Sequence, residues 1–275
     1  MLDNASPRMQ SRLQRIVAVC VVTLIVADIA NLLFETALKS GSAPGADFSV
    51  LIPMLTQSHY GAAWSTGLVA LIVWVLLSVA PRAFGRPARM TVALLAAAVF
   101  AFSKAASSHA AGAGDFSLPE WIHWMHICAT AAWGGLVITS GLLVLPGLRA
   151  EASGEDLAHF VGRLSAAAAF ALLAVLITGI YNANRGLAGS LVPLAHSDWG
   201  LILNAKIGLV NAAIVLGGIN RLVYLPRIRR AASHSAAASS FQTILKAEAV
   251  VMIGILSTAA VLAHTIPGSH PSGWS

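Results

Sequence analysis

The sequence has no Asp, Glu, Lys or Arg between Glu120 and Arg149, and this uncharged stretch constrains the fold more than any other feature. About 20 apolar residues, rising about 1.5 Å each, are enough to cross the hydrocarbon layer of a bilayer, so the stretch predicts a transmembrane helix. Trp121 and Trp124 stand at its start. Indole rings favour the boundary between water and lipid, which places the start of the helix at the membrane surface.

The whole composition is that of a membrane protein. Hydrophobic residues make up 57% of the 275 residues and charged residues only 10%, against about a quarter in soluble domains. Mean hydropathy is +0.77. Apolar runs cover residues 16–38, 61–79, 90–108, 121–149, 164–183, 201–224 and 247–266. They predict an all-α integral membrane protein, with residues 1–275 forming one polytopic domain of about seven transmembrane helices.

The segments between the runs carry further expectations. FSVLIPMLTQSHYG predicts a short helix at the interface, and a helix is expected to begin at Ser153 or Glu155. Pro226 is expected to end the sixth run, and RIRRAASHSAAASS to follow it as a polar loop. A signal peptide is the alternative for the first run, but its length and its polar residues favour a retained helix.

Basic residues predict the orientation of the helices. With the N-terminus cytoplasmic and the C-terminus periplasmic, the inner segments hold 13 of the 17 Lys and Arg residues, as the positive-inside rule requires. The outer side keeps Lys39, Lys104, Arg185 and Lys206. The formal charge of +6 could suggest a nucleic-acid partner. The basic residues lie in short clusters between apolar runs, however, and this pattern indicates membrane topology and not a phosphate-binding face.

Histidines collect on the predicted outer side, and one lies within a membrane helix. His126 is expected about 8 Å below the surface, where it is either a metal ligand or hydrogen-bonded to a neighbouring helix. His123 shares its helix face. With some of His109, His123, His264 and Met125, His126 predicts a metal site of the copper or zinc type, since imidazole and thioether suit these ions.

A stripe of polar residues lies on the first helix. Asp28, Asn31 and Glu35 are spaced i, i+3, i+7, so they face one side. A charge at membrane depth costs at least ~2.5–3.5 kcal/mol, and Lys104 and Lys206 are the candidate partners of Asp28. The stripe predicts either an ion pair that locks helices together or a path for a cation.

Several segments together resemble the CopD-type copper-resistance family. They are HICATAAWGGL, GRLSAAAAFALLAVLITGIYNA and SDWGLILNAKIGLVNAAIVLGGINRLVYLP, with looser matches in SHAAG and QSHYGAAW. The resemblance covers about residues 109–267 well and the first hundred residues weakly. This chain has His123 at the position where the family pattern has an acidic residue, three before the helix histidine.

The resemblance implies an inner-membrane protein for copper homeostasis that binds Cu⁺ or Cu²⁺ at the periplasmic face and transports it. It also implies a periplasmic copper-binding partner besides the lipid bilayer. Two alternatives remain. One is a haem-bearing electron carrier, with His126 and either His264 or His109 as axial ligands. The other is a copper-assembly protein that receives copper from a partner without transporting it across the membrane. The sequence has no Walker loop, no ATPase phosphorylation motif and no nucleophile–base pair, so we expect no enzyme.

Overall fold

The computed structural model describes residues 7–41, 48–79, 85–108, 112, 114–151, 153–230 and 235–265. Within these ranges the chain is helical and contains no strand. The elements are α1 (Pro7–Ser40), α2 (Phe48–Gln57), α3 (His59–Val79), α4 (Arg86–Ala106), α5 (Leu118–Thr139), π1 (Ser140–Val144), α6 (Leu145–Glu151), α7 (Gly154–Leu187), α8 (Pro193–His196), α9 (Asp198–Ile219), π2 (Asn220–Tyr224), α10 (Leu225–Arg230) and α11 (Ser235–Ala263).

Seven helical spans in the described chain are long and apolar enough to cross a membrane, which confirms the predicted all-α membrane fold. Large apolar side chains point away from the protein on many of them; Phe170 is 75% exposed and Leu222 is 76% exposed. In water such a surface would be costly, whereas in lipid it is the expected exterior of a helix bundle. The predicted cytoplasmic N-terminus and periplasmic C-terminus stay predictions.

The chain divides into two compact units, Met1–Trp124 and Met125–Ser275. In the first unit α3 packs along α4 and against α1 and α2. Its small core contains Leu32, Met54 and Trp64. The prediction of one polytopic domain over residues 1–275 stays a prediction.

The second unit packs α9 along α11, and both π segments also lie against α11. Its core includes Trp133 of α5, Val161 of α7 and Met252 of α11, each 1% exposed or less. Glycine permits close helix approach here: a Cβ added to Gly134 would lie 3.4 Å from the Met252 side chain.

Two helices continue through a proline instead of ending there, so the predicted end of the sixth run at Pro226 is wrong. The N–H of Leu145 donates to Ser140 O, and the N–H of Leu225 donates to Asn220 O, five residues back in each case. Proline follows directly, at Pro146 in the first case. Because proline has no N–H and its ring crowds the carbonyl four residues before, a widened turn lets the helix go on.

The loop predicted after Pro226 is also shorter than expected. α10 runs to Arg230 and α11 begins at Ser235, twelve residues before the predicted start of the seventh run. Ala238, Phe241 and Leu245 are buried in the core of the second unit, and this burial makes helix favourable for an Ala/Ser-rich segment. The predicted start of α7 is confirmed, since Ser153 caps it by accepting the Asp156 N–H.

Candidate functional site

His126 of α5 is half-buried and contacts α7 through Thr178. The Nδ1 atom of the imidazole lies 2.9 Å from Thr178 Oγ1. Thr178 is 4% exposed and its hydroxyl donates to the Ala174 carbonyl at 2.6 Å. A hydroxyl has one proton, so Thr178 Oγ1 accepts from His126 Nδ1–H, and the ring carries its lone pair on Nε2. A hydrogen bond that orients the second nitrogen in this way is the usual support of a metal-binding histidine.

The contact lies at a similar depth on both helices. His126 is 8 residues from the start of α5 and Thr178 is 9 residues from the end of α7, about 12 and 13 Å along the helix axes. Gly179 follows Thr178, and a Cβ added there would lie only 3.2 Å from His126 Cε1. The pair Thr178–Gly179 therefore provides both a hydrogen-bond acceptor and room for the ring.

The other predicted metal ligands occupy different environments. Met125 is 50% exposed, His123 is half-buried in α5, and His264 is exposed just after the end of α11. His109 lies outside the described residues. Over the ranges that the structure describes, no three or more His, Cys, Asp and Glu side chains are grouped closely enough to hold a metal ion. The full copper site therefore stays a prediction.

Asp28 in the first unit forms an ion pair with Lys104. Its Oδ1 contacts Lys104 Nζ, which joins α1 to α4, and Trp64 Nε1 of α3 donates to the Asp28 carbonyl at 3.1 Å. Asp28 is 4% exposed, and its Oδ2 has no hydrogen-bond partner among the described residues. Of the two candidate partners, the structure pairs Asp28 with Lys104, while half-buried Lys206 belongs to the other unit. The pair joins α1 to α4, and the choice between a helix lock and a path for a cation stays a prediction.

Other polar residues of the first unit complete the stripe. Asn31 Nδ2 donates to the hydroxyl of Tyr60 at 3.2 Å, which links α1 to α3. Glu35 is half-buried one turn beyond Asn31 on α1. The Thr36 hydroxyl donates to Leu32 O at 2.8 Å and also contacts the buried Met54 sulfur at 3.4 Å. These contacts hold α1, α2 and α3 together within the membrane.

Sequence reasoning missed the support of His126 and one buried acid. Thr178 and Gly179 lie within the segment GRLSAAAAFALLAVLITGIYNA that resembles the family, but their contact with His126 was not predicted, because it joins two helices that are far apart in sequence. Glu248 is 5% exposed and was overlooked because the predicted seventh run began one residue before it. A signal existed for Glu248, since it is the only acidic residue between Asp198 and the C-terminus.

The fold and the His126–Thr178 contact define a multi-pass α-helical membrane protein with a supported histidine inside the apolar part of a helix. Comparison with protein families adds the particular class. A "Copper resistance protein D" family profile matches residues 158–262, and a "Copper resistance protein D-like, N-terminal domain" profile matches residues 1–117. The chain belongs to the copper resistance protein D family, as its resemblance predicted. Residues 118–157, which contain His126, lie between the two matches.

Three curated relatives are similar over most of this chain. "Copper transport protein CutJ" of Bacillus subtilis is 26% identical over 263 residues, 93% of this chain and 46% of that protein. "Inner membrane protein YebZ" of Escherichia coli is 27% identical, covering 74% of this chain and 69% of its own length. "Copper resistance protein D" of Pseudomonas syringae pv. tomato is 22% identical, covering 87% and 80%. This chain thus spans about half the length of the Bacillus protein. No solved structure matches the chain.

Proposed function

We propose that this protein is an inner-membrane copper-handling protein that binds copper near the periplasmic face and moves it across the membrane. Family membership supports the copper chemistry, the name of the Bacillus relative supports transport, and that of the Escherichia coli relative supports the inner membrane. The 13-of-17 bias of basic residues supports an orientation that faces His126 outward. A periplasmic copper-binding protein is the expected donor.

The observation that carries the proposal is the bond from His126 to Thr178. It fixes the orientation of the ring, and in this tautomer Nε2 is the nitrogen whose lone pair would bind the metal ion. Imidazole binds both Cu⁺ and Cu²⁺, and a thioether such as that of Met125 favours Cu⁺. His123, His109 and His264 are the further candidate ligands.

The test is the copper content of the purified protein in wild type, His126→Ala and His196→Ala. His196 is exposed in α8 and serves as the histidine control. We expect His126→Ala to lose bound copper and His196→Ala to keep it. Equal copper in His126→Ala and wild type would remove His126 from the site. An absorption spectrum of the same samples separates the alternatives, since a Soret band would establish haem instead.

Transport is tested separately in vesicles that contain the purified protein. We expect copper entry above that of protein-free vesicles, and its loss in His126→Ala. Copper binding without entry would support the assembly role and contradict transport.

A further inference from the structure

Glu248 is a buried carboxyl group that the proposed copper site does not use. It lies midway along a candidate span, 12 residues after Ala236 and 15 before Ala263. It is 5% exposed, and within the described chain it has no hydrogen bond or ion pair. Ionisable residues inside membrane helices are costly to keep, and they commonly mark the route of a proton or an ion.

The carboxyl group faces the backbone of α9. Its Oε1 and Oε2 atoms lie 3.3 and 3.7 Å from the position that a Cβ on Gly217 would take. Asn220 follows Gly217 by three residues and so lies on the same face of the helix, one turn further on. Asn220 is 4% exposed, and neither its Nδ2 nor its Oδ1 finds a hydrogen-bond partner in the part of the chain that the structure describes.

Glu248 faces Gly217, and one turn further along the helix Asn220 is a second buried polar side chain without a hydrogen-bond partner among the described residues. Asn220 is also the first residue of π2, whose carbonyl accepts from Leu225. π1 packs against α11 as well. π turns within α-helices occur frequently at functional sites. The same region thus combines an unpaired acid, an unpaired amide and a non-standard helical turn.

The basic groups near α11 are engaged elsewhere or distant. Arg221 donates to the carbonyl of Ser165 in α7 at 2.9 Å, and Lys206 lies 11 residues before Gly217, about 16 Å along α9. The other charged and titratable groups on these helices lie elsewhere on them. They are Asp198 at the far end of α9, Tyr224 beneath Arg227, Arg229 beside Gly162 of α7, the exposed Arg230 and Lys246, and exposed His264 just after α11. No ion pair to Glu248 exists among these described groups.

We propose that Glu248 is a reversible proton-binding site within the membrane, with Asn220 as its hydrogen-bond partner. The carboxylate takes one proton from water and later returns it to water, so nothing else is consumed. Asn220 can donate to the carboxylate or accept from the neutral acid, because its amide has both a donor and an acceptor. If copper transport holds as proposed above, this site makes the proton the ion that drives it.

Infrared spectroscopy of protein that contains isotope-labelled glutamate tests the protonation of Glu248 independently of copper transport. Wild type is expected to show a protonated glutamic acid carbonyl band that disappears reversibly as the pH is raised. The band should be absent in Glu248→Gln, which keeps the side-chain shape, and unchanged in the exposed control Glu155→Gln. A spectrum of Glu248→Gln equal to that of wild type, or a band that does not respond to pH, overturns the proposal.

Asn220→Ala tests the partner. Because a carbonyl that loses a hydrogen bond absorbs at higher frequency, the Glu248 band should shift upward in this variant. An unchanged frequency overturns the role of Asn220. Size-exclusion profiles establish that each variant is folded.

Vesicle experiments then test the coupling. Copper entry into wild-type vesicles should change with an imposed pH gradient, and entry in Glu248→Gln should not. Equal dependence on the gradient in both overturns coupling through Glu248. If wild-type vesicles move no copper, the transport proposal fails, and the infrared result alone decides the proton site.

Discussion

The imidazole of His126 donates from Nδ1 to the hydroxyl oxygen of Thr178, 2.9 Å away, while that hydroxyl donates to the carbonyl of Ala174. The direction of this two-step chain is set by the threonine, which has a single proton to give. It decides which ring nitrogen carries the proton, and the first two predictions below depend on it.

Thr178→Val should weaken copper binding while leaving the fold intact. Valine matches the shape of threonine but cannot accept from Nδ1, so the ring loses its orientation. Loss of such a supporting hydrogen bond typically lowers metal affinity by about 10–100-fold. Copper titration of the purified protein measures the effect. Thr66→Val is the control, because Thr66 is exposed and donates only to the Ala62 carbonyl of its own helix. Equal affinities in the two variants would contradict the role of Thr178.

Gly179→Ala should displace the His126 ring and reduce copper binding, though less than His126→Ala does. The added methyl would lie 3.2 Å from Cε1, so the ring has to move by a few tenths of an ångström. Gly208→Ala is the matched control in α9, since nothing lies within 4 Å of its added Cβ. We expect Gly208→Ala to keep its copper and to gain up to ~1 kcal/mol of helix stability. A Gly179→Ala protein with normal affinity would show that the ring tolerates the contact.

Asp28→Leu or Lys104→Met alone should destabilise the protein, because each leaves the other charge in a largely apolar environment. Breaking a buried pair typically costs about 3–5 kcal/mol of stability. Because Lys104 is partly exposed, Asp28→Leu, which leaves Lys104 unpaired, should cost less than Lys104→Met, which leaves Asp28 unpaired. The double variant should recover much of the loss, since it leaves no charge behind. Thermal unfolding in detergent measures all three.

Copper entry in the same double variant separates locking from a cation path. If the pair only joins α1 to α4, the double variant, once its stability is recovered, should still transport copper. A stable double variant without transport would instead assign Asp28 to the path of the ion.

The N-in, C-out topology should appear in reporter fusions. A reporter joined near position 234 is expected to be active as a cytoplasmic fusion, and one at the C-terminal tail as a periplasmic fusion. The reason is the cost of moving the clustered arginines across the membrane. Opposite activities at both positions would reverse the orientation and place His126 on the cytoplasmic side.

Much of the fold follows from the sequence alone, for a simple physical reason. An apolar segment that crosses the bilayer has to satisfy its backbone hydrogen bonds internally, as a helix of about 20 residues does. Seven apolar runs therefore become seven helical spans. The membrane depth of His126 and the need of Asp28 for a partner follow from the same constraint. Helix ends do not, because they depend on packing. Phe241 and Leu245 are buried in the core and extend α11 to Ser235, which places Glu248 at mid-span.

Only the tertiary structure decided which side chains meet. From the sequence, Lys104 and Lys206 were equal candidates for Asp28, and the packing of α3 against both α1 and α4 accompanies the pairing with Lys104. Thr178 meets His126 across 52 residues, where helical periodicity has no information about neighbours. Periodicity assigns each residue a depth and a face within its own helix. Which faces come together depends on close packing of whole helices, and in this chain that packing decides the support of His126 and the surroundings of Glu248.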